Sequence, residues 1–267
     1  AGSATGSITL KRCYATGNIT NANAVNYYGN VGGLIGRATA GATIEECYFT
    51  GTAKGQYYVG GLLGQLGGGT LDISKSYASG VVTGNLETAG RYHGGIVGWL
   101  HSSATNTTIT NCWTSNNVSG EQFIGGIVGA AESTVNVSNC FSNGTLKARG
   151  SGGMVGRIQN TATVTKCLAW NTINSTRTGD TQYASGAITG SVTKPGNFSA
   201  CYRASDMNYY DKFVPSLVDH DDITNAQPPA PAVGKIDANQ YAYHGKAVGT
   251  GVTASAQAKT LGWDETV

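Results

Sequence analysis

The chain has 267 residues, of which only 12% are charged, and its net charge is +2. Near-neutrality, with no basic run carrying interleaved aromatics, argues against nucleic acid as a partner, and no apolar run reaches the roughly 20 residues of a membrane span. Forty glycines could signal disorder, but 40% hydrophobic residues and 14 tyrosines supply material for a core.

Patterned sequence begins within a few residues of Ala1, with no leader before it, so the chain reads as a processed or trimmed piece. The first element is ITLKRCYATGNI (8–19), followed by VGGLIG (Val31–Gly36). These two motifs then alternate. The first recurs at Cys47, Ser76, Cys112, Cys140 and Cys167, and weakly at Cys201, aligned on Cys13. The second recurs as VGGLLG (59–64), HGGIVG (93–98), IGGIVG (124–129) and SGGMVG (151–156), with a degenerate ASGAIT at 184–189. Repeats of about 30 residues with loops of variable length between them mark a solenoid. Apolar residues show no helical spacing, and β-branched residues punctuated by Gly and Asn point to short strands. The expected fold is all-β, a right-handed parallel β-helix of about six to seven coils. One coil cannot bury its apolar face, whereas a stack can.

Each column of the repeat has a physical reading. An aromatic follows the Cys position at Tyr14, Tyr48, Tyr77, Trp113 and Phe141, either as a core or corner stack or as an exposed ladder for sugar rings. Four places after the Cys stand Gly17, Gly51, Gly80, Asn116, Gly144 and Asn171, which predicts a turn. A second aromatic set precedes the glycine motif at Tyr28, Tyr58, Tyr92, Phe123 and Tyr183. If Val31, Gly33 and Ile35 point inward, these rings and Leu34 form an outer strip, the best ligand-site candidate. If the chain bends at glycine, both aliphatics go inside.

The glycine motif, with Gly33 and Gly36, Gly61 and Gly64, Gly95 and Gly98, Gly126 and Gly129, and Gly153 and Gly156, resembles the GLUG motif. The interleaved Cys-aromatic segments resemble the flanks of that repeat, so the resemblance covers about residues 8–207. It implies a bacterial surface or secreted β-solenoid, as in adhesins, in Bacteroides-type secreted proteins and beside the protease domain of immunoglobulin-A1-cleaving metallopeptidases. It carries no catalytic residues over, and the zinc signature HExxH does not occur in this sequence.

The chemistry-bearing residues are sparse. GGLIG lacks the spacing of a dinucleotide or P-loop signature, so its repetition is structural. All six cysteines, Cys13, Cys47, Cys112, Cys140, Cys167 and Cys201, share one repeat phase, which predicts an interior ladder of free thiols rather than a disulfide framework or a metal site. The acids of the repeats, Glu45, Glu46, Asp72, Glu87, Glu121, Glu132 and Asp180, do not recur in one column, as a polysaccharide lyase or hydrolase would require. A Thr-rich ice- or crystal-binding face would need a regular outward TxT column, which the spacing does not show. The expectation is therefore a monomeric, non-enzymatic surface protein without cofactor, binding an extracellular glycan or a host or matrix protein. A carbohydrate-active enzyme or a structural stalk is the alternative. The repeats should fill 1–207, with 208–267 as a capping region. That region holds the acidic run Asp219-His220-Asp221-Asp222, read as a solvated loop, and the proline-rich Gln227–Val233.

Overall fold

The computed structural model describes residues 2–21, 29–84, 90–176, 183–194, 196–211, 223–224 and 241–263. Tyr28, Glu87, Asp180, the 219–222 run and the proline-rich segment lie outside these residues.

The chain winds into a parallel β-solenoid of about six turns. One coil runs through strands Ile35–Ala38, Gly41–Glu45, Tyr48–Lys54 and Tyr57–Gly60. The first three continue sheets of eight, eight and nine strands, and the fourth belongs to a short sheet of five. Neighbouring coils pair in parallel and almost wholly in register, as along Ile44, Ile73, Ile109, Val137, Val164 and Phe198. Stacked strands lie about 4.8 Å apart, so every column places like beside like. Such stacking suits aliphatics, hydroxyls and amides, but it would bring like charges together. The outward positions of the second sheet accordingly read Thr108 and Thr110, Asn136 and Ser138, Thr163 and Thr165. Elsewhere the same outward positions read Thr9 and Lys11, Thr43 and Glu45, Asp72 and Ser74, and Asn197 and Ser199, so threonine pairs fall in separate coils and form no regular TxT column. Where charges do stack, Lys11 pairs with Glu45 at 2.9 Å.

The corner between the second and third sheets explains the cysteine column. The preceding residue, Arg12, Glu46, Lys75, Asn111, Asn139, Lys166 or Ala200, is left-handed in every coil, with φ of 48–53°. Each thiol then reaches back across the corner. Cys47 Sγ donates to Glu45 O (3.1 Å), Cys112 to Thr110 O (3.2 Å) and Cys140 to Ser138 O (3.2 Å). Ser76 makes the same bond to Ser74 O at 2.7 Å. Adjacent coils interlock here, since the Cys13 and Cys47 amides donate to Cys47 Sγ and Ser76 Oγ. All six cysteines are free, and all but Cys13 are buried.

The Gly17 column is a kink within a strand, where the sequence predicted a turn. Gly17, Gly51, Gly80 and Gly144 have φ of 104–137° in the middle of third-sheet strands. Where Asn replaces Gly, the side chain turns inward, and Asn116 Nδ2 donates to Gly95 O at 2.9 Å.

The glycine motif is the point where three backbones meet. A Cβ on Gly61 would lie 2.0 Å from Gly95 O and 2.5 Å from Ala78 Cβ, so the turn is pressed against the next coil and the third sheet at once. A Cβ on Gly64 would lie 2.7 Å from Tyr58 O, because the short sheet packs backbone to backbone on the first. The bend sends both aliphatics inside: Leu62, Leu63, Ile96, Val97, Ile127 and Val128 are fully buried. The Leu34 column therefore belongs to the core.

At the C-terminal end the parallel pattern breaks. Tyr241–Tyr243 pairs antiparallel with Thr189–Val192, and Ile223–Thr224 pairs antiparallel with Asn197–Ser199. Phe198 stacks on Tyr243 at 4.1 Å. A short helix, α1 (Ala254–Thr260), follows, with Thr253 Oγ1 accepting from the Ala256 amide.

His93 replaces the aliphatic of Val31, Val59 and Ile124 in the short sheet. Its ring is fully buried between Gly84 and Gly120, and its Nδ1 accepts from the Val59 amide at 3.3 Å. Burial without a countercharge pushes its pKa down to about 3 from 6.5.

Three outcomes test this architecture. Gly61→Ala should abolish cooperative folding or cost more than ~4 kcal/mol, whereas Gly249→Ala, whose nearest contact is 3.5 Å away, should leave the thermal melt nearly unchanged. Cys140→Ser should stay within about 1 kcal/mol of the parent, because Ser76 already fills that role, and Cys140→Val should lose roughly 1–2 kcal/mol with the bond; urea titration reads both. Between about pH 6.5 and pH 3 the unfolded chain takes up a proton that folded His93 refuses, so stability falls as pH drops. The loss from His93 should be roughly 2 kcal/mol at about pH 5. His93→Val should remove that part of the pH slope in chemical denaturation.

Candidate functional site

The aromatic set before the glycine motif assembles into one ladder. Tyr58, Tyr92 and Phe123 have φ of 53°, 65° and 51°. This left-handed step throws the rings to the side of the strand, over the outer face of the first sheet. Tyr58–Tyr92 and Tyr92–Phe123 centroids are both 5.8 Å apart, and Tyr183 meets Phe123 at 5.1 Å, tilted by 52°. Tyr28, the remaining predicted member, lies outside the described residues.

The ladder is less open than an outer strip would be. Tyr58 is 7% and Phe123 4% exposed. Both are packing rings, closed off from a ligand, because side chains from the first sheet fold over them. Trp99 stacks on Tyr58 at 4.4 Å and touches Tyr92 at 5.7 Å. The Arg157 guanidinium sits 4.5 Å above Phe123 and donates to the Tyr92 hydroxyl at 3.4 Å. In the fifth coil Gly150 stands in the aromatic column, and Tyr183 packs against it, 3.3 Å from where its Cβ would be. Tyr92, Tyr183, Trp99 and Arg157 remain half-buried and reachable.

A polar network surrounds them. The Gln159 carboxamide, turned to satisfy both neighbours, accepts from Arg157 at 2.8 Å and donates to Glu132 Oε1 at 3.0 Å. The His101 ring meets Trp99 edge-on at 5.0 Å. Burial pushes the Tyr92 phenol pKa up, against the opposing pull of Arg157, so Tyr92 stays a neutral donor. Arg149 pairs with Glu121 at 3.6 Å and lies over the Tyr183 ring. The patch can thus present aromatic surface, a cation and amide and hydroxyl groups on a rigid sheet.

Trp99 and Arg157 were missed from sequence, although a signal existed. The residue directly after the last motif glycine reads Arg37, Gln65, Trp99, Ala130 and Arg157, one stacked column of the first sheet that Ser191 continues, because the pairing of Val155 with Thr189 aligns the last copy as 185–190 and not 184–189. Four of its six members are large polar or aromatic side chains, in a position that directly follows a glycine. Among the described residues, no three His, Cys, Asp or Glu side chains cluster as metal ligands would.

The aromatics after the cysteines form a second ladder, on the outside. Tyr14, Tyr48, Tyr77 and Trp113 stack at 4.9, 4.9 and 4.4 Å with planes within 7° of parallel. Tyr14, at the end, is 65% exposed.

Comparison with known proteins agrees with this fold. A family model described as "The GLUG motif" matches residues 27–54. A solved structure described as a putative immunoglobulin A1 protease from Bacteroides ovatus superposes with a TM-score of 0.59 at 20% identity, over 90% of this chain. The match spans 66% of that structure's own chain, a little under two thirds. Curated protein sequences give no match. The expectation that the protein is not an enzyme is overturned by this neighbour, a similar solenoid described as a putative protease. At the level of fold the result is plain: the chain carries the GLUG motif, and it carries it as a parallel β-solenoid.

Proposed function

We propose that the solenoid is a recognition arm of a cell-surface or secreted protein, with an extracellular glycan or a host or matrix protein as ligand. The observation that supports this is the half-buried Tyr92–Trp99–Arg157 patch. Trp, Tyr and Arg dominate the energetics of protein recognition surfaces, because each offers large contact area with little rotamer entropy to lose or several fixed donors. The in-register sheet beneath holds the three side chains in place, so little ordering remains to be done on binding. Glycans would use the same aromatic area and the hydroxyl and guanidinium donors beside it.

A second reading follows from the Bacteroides ovatus structure. In a longer protein with a peptidase domain, the arm would hold the protein substrate, an immunoglobulin A1 heavy chain being the first to try.

Both are tested by one experiment. The protein is screened by surface plasmon resonance against a glycan array, a matrix-protein panel and immunoglobulin A1, alongside Trp99→Ala and Arg157→Ala. A genuine ligand should lose at least ~10-fold in affinity with either variant, and undiminished binding in both would remove the patch from consideration. Immunoglobulin A1 is also incubated with the protein and read on gels, and new fragments would establish peptidase activity in this chain.

A further inference from the structure

We propose that the corner between the second and third sheets is a docking groove for a polypeptide segment with apolar and acidic side chains. The groove encloses about 1190 Å3 and crosses several coils. Its floor is the outer ladder, from Tyr77 and Trp113 to Phe141 and Leu168. One wall is the left-handed corner column, including Lys75, Asn111 and Asn139, and the other is α1 with Trp263 beyond it.

Three observations select the occupant. First, the stacked rings cover one another's faces: from Tyr14 to Trp113 the centroids are 4.4–4.9 Å apart and the planes nearly parallel. Tyr77 and Trp113, where they line the groove, therefore meet each other face to face and turn ring edges to it. A pyranose ring packs on an aromatic face, so this floor is a poor sugar platform. Ring edges carry the positive end of the aromatic quadrupole and attract carboxylates.

Second, the corner column is basic. Along its length it carries Arg12, Lys75 and Lys166 against one acid, Glu46, all four exposed, and of these Lys75 and Glu46 line the groove. The ion pairs found among the described residues, Lys11–Glu45 and Arg149–Glu121, involve none of them. Lys259 on α1 adds a cation to the opposite wall. An acidic segment matches this field. Asn111 and Asn139 supply carboxamides, whose donor and acceptor match those of a peptide backbone.

Third, polypeptide already lies on this corner. Helix α1 packs against the strand Leu168–Ser175 and presents small side chains, Ala254 and Ala258, to the groove.

The test uses two fluorescein-labelled synthetic peptides of about ten residues, enough at ~3.3 Å per residue to span the groove. One alternates Leu with Glu, the other Leu with Lys, and anisotropy reads binding. The Glu peptide should bind saturably. Its affinity should fall about tenfold with Lys75→Glu, and also between about 50 and about 500 mM salt, while the Lys peptide should not bind. Lys75→Asn should weaken binding less. Both substitutions suit the corner, which Glu46 and Asn111 occupy in the same backbone conformation, so the thermal melt should not move. Trp99→Ala should leave peptide binding unchanged, which separates this groove from the patch proposed above. Equal affinity for both peptides, no response to Lys75→Glu, or absence of Glu-peptide binding at millimolar concentration would overturn the proposal.

Discussion

Successive coils hydrogen-bond in register along all three main sheets, so each residue lies about 4.8 Å from its counterpart in the next coil. That constraint governs the rest of the molecule. Aliphatics stack into a continuous core, hydroxyls and amides stack into neutral outer faces, and charges survive where a neighbour has the opposite sign, as at Lys11 and Glu45. The low charge of the chain is thus a result of its architecture. The same constraint makes both aromatic columns into ladders, because a ring repeated at one phase has another ring as its neighbour.

Two devices bend the flat stack into a closed coil. At one corner a left-handed residue is followed by a side chain that donates to the carbonyl two residues back. Cysteine suits that position by being small, apolar and still a weak donor, and Ser76 shows what the position asks for. At the opposite turn the backbone runs against the third sheet, the next coil and the short sheet, and only hydrogen fits between them. The glycines of VGGLIG are needed less for unusual dihedral angles than for the absence of a Cβ at those approaches.

The two ladders have different relations to solvent because of what lies beside them. The inner-turn ladder is overlaid by Trp99 and Arg157, which close over Tyr58 and Phe123 and create a mixed aromatic and cationic patch at the edge of that cover. The corner ladder has no such overlay. Its rings protect one another face to face and leave their edges to a groove flanked by cations and by α1. Two chemically distinct surfaces therefore arise on one scaffold from one residue class. A solenoid of this kind also occurs in the Bacteroides ovatus structure described as a putative immunoglobulin A1 protease.

The sequence by itself determined the architecture. Phase and period marked the coils, the Cys13 column marked a shared interior position, and the aliphatics flanking the motif marked the core. These are properties of local pattern, and in a solenoid local pattern repeats until it becomes the fold. Exposure was a different matter. Whether Tyr58 faces ligand or protein depends on Trp99, which is 41 residues away in sequence. Whether the Gly17 column turns or kinks depends on the coil beneath, and whether Thr108 and Thr163 align depends on how loops of unequal length are absorbed. Only the tertiary structure decided these points, because each is set by the register between coils, and register is a contact between distant residues.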